Sequence, residues 1–473
     1  MRPFISREDE LTALDERWAS SRAEFVVVYG RRRVGKSRLI THWSERRRHL
    51  YIEASAGSER DQLDDVSTEL ARATGRALYA EQPLSNWRAV FAAFEELLDD
   101  GPIAISIDEF QFVARRNAEI GSLLNDFVTR RKDDPRLRLI ISGSDVSFFE
   151  QEVVGYAATS YGRRTGSIHL QPFRWQETAP FVPGWSAEDR IRAWAIWGGM
   201  PYYLDEIDPG QSLAENIWRT ILVPDGLLRD EPTFLLAQET RIRERDAYLS
   251  ALRAIANGRT RLAEIAERVQ RSATETRRFL ETLEQMRLVT RRFPVDRRGG
   301  KKVSYAITDP FLRFWFRFVA PFESRLQSRA DARRHLEETV LPQLDAFVSR
   351  DAFEEVCRRW ALDNVEGAVE VGSWWGPKRV RTPDGQRNRQ YEADVAAIDP
   401  DGRALALGSC KWRDDLHDAG ELDKLETVAE LMGAVDPQLL FFDRSGFSPR
   451  LREIARERGI DRVRLIDVDD LAR

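Results

Sequence analysis

The sequence predicts an α/β protein built first on a parallel sheet, then on a winged helix and a second α/β region. Three observations carry this reading. Short β-branched runs alternate with amphipathic stretches over roughly the first 150 residues. Three helical patterns followed by a basic-tipped hairpin occupy the middle of the chain, and new strand and helix patterns close it. In the first segment Phe25–Tyr29, Ile103–Ile107 and Leu137–Ile141 read as buried strands, with helical patterns at Trp87–Leu98 and Glu119–Arg131. Strands separated by helices need crossover connections, which set them parallel.

The 473 residues suggest about three domains, and 42% hydrophobic residues supply ordinary cores. No run approaches the ~18 apolar residues of a membrane span; the nearest, Phe311–Phe322, is interrupted by Arg313 and Arg317. The opening MRPFISREDE lacks an apolar leader, and Cys357 and Cys410 are the only cysteines. A cytoplasmic location without membrane attachment is therefore expected. Five scattered histidines argue against a histidine-rich zinc site. With a net charge of -5, binding to nucleic acid would have to rest on local basic patches.

The chemistry is clearest after the first strand. Gly30, Arg31, Arg32, Arg33, Val34, Gly35, Lys36 and Ser37 match GxxxxGK[ST] in full, with a helical stretch opening at Arg38. The glycines let backbone N–H groups wrap a phosphate at a helix N-terminus. Lys36 adds charge at the β- and γ-phosphates, and the Ser37 hydroxyl would ligate Mg²⁺. Ile103–Ile107 ends in Asp108 and Glu109. Asp108 suits the metal-associated carboxylate, and Glu109 suits a base that polarises attacking water. ATP and Mg²⁺ are the expected cofactors, with ATP hydrolysis the expected reaction. The third strand ends in Ser142-Gly143-Ser144, which reads either as a γ-phosphate sensor or as a plain turn.

From Arg174 to Glu239 the pattern turns helical, interrupted by Gly198-Gly199-Met200-Pro201. Asp246–Asp309 has its own logic. Tyr248, Leu249, Leu252 and Ile255 mark one helix; Leu262, Ile265 and Val269 a second; Phe279, Leu280 and Leu283 a third. Leu288–Phe293 and Lys302–Ile307 then read as strands of a wing. Helix three carries Arg277 and Arg278, and the wing carries Arg297, Arg298, Lys301 and Lys302. These residues fit double-stranded DNA, and equally a solvated face on a packing or regulatory module.

Near the C-terminus, Tyr391–Ile398 and Arg403–Lys411 flank the turn Asp399-Pro400-Asp401-Gly402. If four residues set the register, Glu392 lies opposite Ser409 and Asp394 opposite Leu407. Alternation then gathers Glu392, Asp394, Ser409 and Lys411 on one face. The polar, basic stretch 377–389 is expected as a loop.

These motifs, in this order, resemble the archaeal-type ATPase family, which also occurs in bacteria and stands among the AAA-like and STAND P-loop proteins. The features that match are Phe4-Ile5-Ser6-Arg7-Glu8-Asp9-Glu10-Leu11, Asp108-Glu109-Phe110-Gln111, Tyr161-Gly162-Arg163-Arg164, Gly198-Gly199-Met200-Pro201-Tyr202-Tyr203-Leu204 and Asp309–Phe318. The resemblance covers nearly the whole chain. It implies a P-loop NTPase core with a helical lid, Pro201 near the nucleotide, and Arg163 or Arg164 as a γ-phosphate-sensing arginine acting in cis or in trans. It further implies a C-terminal restriction-endonuclease-like domain of the PD-(D/E)XK type, with Asp394 on the metal, Lys411 orienting water and Glu354 as the helix acid. Ser409 stands where that core usually has a carboxylate, which a hard cation would prefer.

The expected organisation is an ATPase core over 1–170, a lid over 171–240, a winged helix over 241–310, a connector over 311–345 and the nuclease-like domain over 346–473. Two functions stay open. One is an ATPase controlling a nuclease-like domain on DNA. The other is a STAND-type signalling switch whose C-terminal domain binds protein or DNA without catalysis, with self-assembly or a protein partner.

Overall fold

The structure is a computed structural model that describes residues 4–155, 163–238, 244–296, 303–382 and 385–472. The chain divides into two compact units, Met1–Pro172 with Met200–Tyr202, and Phe173–Gly199 with Tyr203–Arg473.

In the first unit, β1 (Glu24–Tyr29), β2 (His49–Glu53), β3 (Ile103–Asp108), β4 (Leu137–Gly143) and β5 (Gly166–His169) form one sheet. Its order is β2-β3-β4-β1-β5, with every neighbouring pair parallel. β1, β3 and β4 are buried at every residue, which is why mostly apolar runs mark them in the sequence even with Ser106 and Arg138 among them. β2 and β5 are the edge strands and only partly buried, and neither stood out in the sequence. Open sheets of this kind take ligands beyond the carboxyl ends of their strands. Both the phosphate loop and Asp108–Glu109 lie at such ends.

The second unit contains the helices Arg245–Ala256, Leu262–Val269 and Ala273–Gln285, followed by the antiparallel pair β6 (Val289–Arg292) and β7 (Ser304–Ile307). Ser272 and Glu275 close a capping box at the start of the third helix. The helix Pro310–Phe318 is buried at all but one of its residues, Arg313 included, with Asp309 accepting from the Phe311 and Leu312 N–H groups.

The C-terminal sheet has the order β12-β11-β10-β9-β8. It comprises β8 (Glu370–Thr382), β9 (Gly385–Ile398), β10 (Ala404–Lys411), β11 (Gln438–Asp443) and β12 (Val463–Asp467). β8, β9 and β10 run antiparallel, whereas β10, β11 and β12 are parallel.

Two expectations are corrected here. Residues 377–382 and 385–389 are strand and not loop, because β8 and β9 pair continuously from Trp374↔Ala393 to Thr382↔Gly385. The register of β9 and β10 is also shifted by two residues. Leu407 faces Ala396 and Gly408 faces Val395, so neither Asp394–Leu407 nor Glu392–Ser409 is a pair. Arg403 is drawn into the turn, which Asp399 closes through its N–H to the Arg403 carbonyl, and an irregularity between Ala404 and Ala406 adds the second residue. A shift of two keeps each side chain on its face.

The base of the β6–β7 wing is stitched to this sheet. The Val295 N–H donates to the Ser373 carbonyl at 3.0 Å, and Trp374 Nε1 donates to Asp296 Oδ2 at 2.8 Å. Val295 also belongs to the same apolar core as Leu407, Leu425 and Phe441.

Candidate nucleotide site and C-terminal acid cluster

The phosphate loop runs directly from β1 into the helix Lys36–Ser44, whose N-cap is Gly35 at φ +94°. That left-handed backbone is strained for a residue carrying a side chain. At Gly30 the constraint is space, since a Cβ there would come within 2.3 Å of the Leu170 carbonyl oxygen. Val34 is fully buried, and Arg7 donates to the Val34 carbonyl at 3.3 Å and to the Gln171 carbonyl at 2.7 Å. The Arg33 guanidinium lies 3.8 Å above the Tyr202 ring. Pro201 Cγ lies 3.6 Å from where a Cβ on Gly35 would stand.

Lys36 is 5% exposed and donates to the Gly30 and Arg31 carbonyls at 3.1 and 3.3 Å. Burial lowers its pKa, while Glu109 and Asp108 act in the opposite sense. Asp108, at the end of β3, is 1% exposed. Three hydroxyls donate to it: Ser37 at 2.5 Å and Tyr51 at 2.6 Å on Oδ2, and Ser142 at 2.6 Å on Oδ1. Burial opposes its charge, but these donors and Lys36 outweigh burial and hold its pKa below the usual value. Ser37 and Asp108 therefore offer a hydroxyl and a carboxylate side by side, the hard oxygen donors that Mg²⁺ takes together with substrate phosphates.

Glu109 follows at φ +51°. Its Oε2 accepts from Ser144 Oγ at 2.8 Å and from Gln111 Nε2. The Ser142-Gly143-Ser144 segment thus contributes one hydroxyl to each acid. Arg163 donates to Thr129 Oγ1 at 3.2 Å, and Arg164 to the Val154 carbonyl at 2.7 Å. Sequence reasoning passed over Tyr51 and the bonding of Gln111. Tyr51 lies on edge strand β2, whose residue Glu53 pairs with Asp108, so only the parallel register brings its hydroxyl to the carboxylate.

On the winged helix, Arg277 and Arg278 are exposed. Arg297, Arg298, Lys301 and Lys302 lie outside the described residues.

In the C-terminal unit, Glu354 opens the helix Glu354–Asn364 and accepts from Arg358 at 3.2 Å. Arg358 also donates to the Asp394 carbonyl at 3.0 Å, and the Cys410 N–H donates to Asp394 Oδ2 at 2.8 Å. Burial raises the Asp394 pKa and pushes Glu354 up to about 7. Glu392 adds to the rise at Asp394, and Lys411, which lies 3.8 Å from Glu421, counters it. Ser409 is 4% exposed. Among the described residues, no group of three or more His, Cys, Asp or Glu side chains is arranged to hold a metal ion. The sequence reading omitted Arg358, although its spacing of four from Glu354 on a helix signals the pair.

Comparison with known proteins gives two family matches. Residues 4–207 match an ATPase domain predominantly from Archaea, and residues 315–424 match archaeal and bacterial proteins of unknown function. An uncharacterized protein of Methanocaldococcus jannaschii is 27% identical over 426 residues, covering 87% of this chain and 88% of that protein. An uncharacterized ATP-binding protein of the same organism is 40% identical over 45 residues, 10% of this chain and 76% of that one. Among solved structures, a Walker-type ATPase of Pyrococcus abyssi matches with a TM-score of 0.49 and 20% identity, covering 67% of this chain and 99% of that one. The Aeropyrum pernix ORC2 protein in its ADPNP–ADP complexes matches at 0.45 and 14%, covering 73% and 96%. No described helix is long and apolar enough to cross a membrane. Residues 4–207, which carry the phosphate loop and Asp108–Glu109, match an ATPase domain found predominantly in Archaea, and the chain is an ATPase.

Proposed function

We propose that this chain is a Mg²⁺-dependent ATP hydrolase whose nucleotide state controls its winged helix and nuclease-like domain, and that it acts on double-stranded DNA. The observation that carries the ATPase half is the convergence of Ser37, Tyr51 and Ser142 on Asp108 beside the buried Lys36. In this reading the N–H groups of residues 31–38 wrap the phosphates, and Lys36 moves from the Gly30 and Arg31 carbonyls onto the β- and γ-phosphates. Ser37 and Asp108 would hold Mg²⁺, which when bound offsets charge on the transferring phosphoryl group. Glu109, steadied by Ser144 and Gln111, orients the attacking water and takes up its proton. Pro201 faces the loop from the lid segment, and Arg163 or Arg164 senses the γ-phosphate. In the same reading the core spans 1–170, the lid 171–240, the winged helix 241–310, the connector 311–345 and the nuclease-like domain 346–473.

Within the C-terminal unit a specific observation favours binding over cleavage. Ser409 replaces the usual acid, and the Arg358 guanidinium supplies positive charge at Glu354 and Asp394, where a nuclease would need a cation. We therefore read this unit as a nuclease-like domain retained for binding. A STAND-type switch with self-assembly is the rival, marked by nucleotide-dependent oligomers that ignore DNA. The test is ATP turnover with Mg²⁺ or EDTA, with and without duplex DNA, in the native chain and in Lys36→Ala and Glu109→Gln. Turnover should need Mg²⁺, rise with DNA, vanish in Lys36→Ala and fall by about 10²–10⁴-fold in Glu109→Gln. Undiminished turnover in Lys36→Ala would overturn the assignment.

A further inference from the structure

The β8–β9 pair outruns the sheet that anchors it. β10 pairs with β9 only between Ile398 and Val395, yet β8 and β9 stay paired out to Thr382↔Gly385. From Gly376↔Tyr391 to that end the two-stranded ribbon extends about 20 Å at 3.2–3.4 Å per residue. Pro377, Arg379, Arg387, Asn388, Arg389 and Gln390 are all exposed on it. Isolated two-stranded ribbons are marginal in water, because burial contributes little to hold them.

Its charge makes matters worse for the free protein. Residues 378–389 contain Lys378, Arg379, Arg381, Arg387 and Arg389 against the single acid Asp384. Lys378 stands directly across from Arg389, an arrangement of like charges that destabilises a strand pair. Lys378 is compensated by Glu430 at 2.7 Å, and Arg389 stacks toward Tyr391 at 5.4 Å. Alternation assigns Arg379 and Asn388 to one face and Arg387 and Arg389 to the other. Cations on both faces of a narrow ribbon suit an anion that surrounds it. The DNA major groove, about 12 Å wide, admits a two-stranded ribbon between two phosphate walls, and asparagine and glutamine amides are suited to base edges there. The strand β8 also carries Ser373 and Trp374, which are hydrogen-bonded to Val295 and Asp296 beyond the end of β6, so the root of the ribbon is tied to the winged helix.

We propose that the β8–β9 ribbon is a contact for double-stranded DNA, lying in the groove with Arg379, Arg387 and Arg389 toward the phosphates. The inference rests on the reading that this chain acts on DNA and names the element that holds the duplex.

The experiment is fluorescence anisotropy of a labelled ~20-base-pair duplex with the full chain at 50, 100 and 200 mM NaCl. The native chain is compared with Arg387→Ala/Arg389→Ala, with the charge-keeping Arg387→Lys/Arg389→Lys, and with Arg277→Ala/Arg278→Ala. The alanine pair should weaken binding at least about tenfold at 100 mM salt and flatten the log–log salt slope by about two, while the lysine pair keeps that slope. ATP turnover without DNA should be unchanged in both ribbon variants, showing that the chain is folded. If the native chain binds duplex and the ribbon alanine pair binds identically, the ribbon assignment is overturned and the DNA reading stands. If the native chain binds no duplex, both fall. If the same variant instead loses binding to duplex RNA or to phosphatidylserine vesicles that the native chain prefers over DNA, the assigned partner is wrong.

Discussion

The Ser37 hydroxyl donates to Asp108 Oδ2 across 2.5 Å, joining the first residue past the phosphate-loop lysine to the end of a strand more than seventy residues later. In the reading proposed above both groups would hold one cation, and here the hydroxyl donates to the carboxylate. The carboxylate is kept charged by hydroxyls despite its burial.

Tyr51→Phe tests that arrangement. It deletes one donor to Asp108 while leaving the ring in place. A hydrogen bond to a charged group contributes about 1.5–3 kcal/mol, so the thermal midpoint should fall and a higher Mg²⁺ concentration should be needed for half-maximal turnover. A Mg²⁺ titration superimposable on that of the native chain would remove Tyr51 from the site.

Asp351 sits between two arginines, 2.6 Å from Arg292 on β6 and 3.8 Å from Arg313 in the helix Pro310–Phe318. Burial raises its pKa, but Arg313 and Arg292 more than offset this and the net shift is downward. Asp351→Asn should destabilise the chain by about 2 kcal/mol in denaturant unfolding, because Arg313 would be left buried with only Glu355 at 3.9 Å. The figure stays below that for a sealed pair, since 31% of the Asp351 side chain is exposed. An unchanged midpoint would mean the arginines need no counter-charge.

His417 and Asp443 are fully buried, with Nδ1 and Oδ2 3.4 Å apart. Burial first, and Lys411 second, push the His417 pKa down to about 4, against 6.5 for an ordinary histidine. Between those values the unfolded chain binds the proton and the folded chain does not, so this contribution to stability is lost as pH falls from 6.5 to 4. Burial raises Asp443 to about 6, which acts in the opposite sense and persists when His417 is changed. The stability difference between the native chain and His417→Leu should therefore shift against the native chain by up to about 3 kcal/mol over that range. A difference independent of pH would show that His417 carries no such shift.

The C-terminal cluster should leave supercoiled plasmid uncut with Mg²⁺ or Mn²⁺, whether or not ATP is present. Cleavage by the native chain that disappears in Asp394→Ala would reinstate the nuclease and demote Arg358 to a neighbour.

What could be read beforehand follows from which residues act locally. Gly30–Ser37 and Asp108–Glu109 announce themselves because a strand end and a loop of fixed length determine their geometry. Tyr51 was hidden because its role depends on β2 pairing with β3, a contact between segments more than fifty residues apart. The β9–β10 register failed by two residues because the turn took in Arg403 and an irregularity followed. The 377–389 stretch looked like a loop since its alternation is of polar with polar, and strand patterns are recognised by the face they bury.

Because Val295 lies in the same apolar core as Leu407 and Phe441, the C-terminal sheet cannot be lifted out cleanly by cutting the chain at residue 346. Such a fragment would keep its own strands and still present an opened seam along Gly372 and Trp374, lacking the wing residues that cover it. Trial fragments for separate production would do better to start ahead of the helix Arg245–Ala256, so that sheet and wing are carried together.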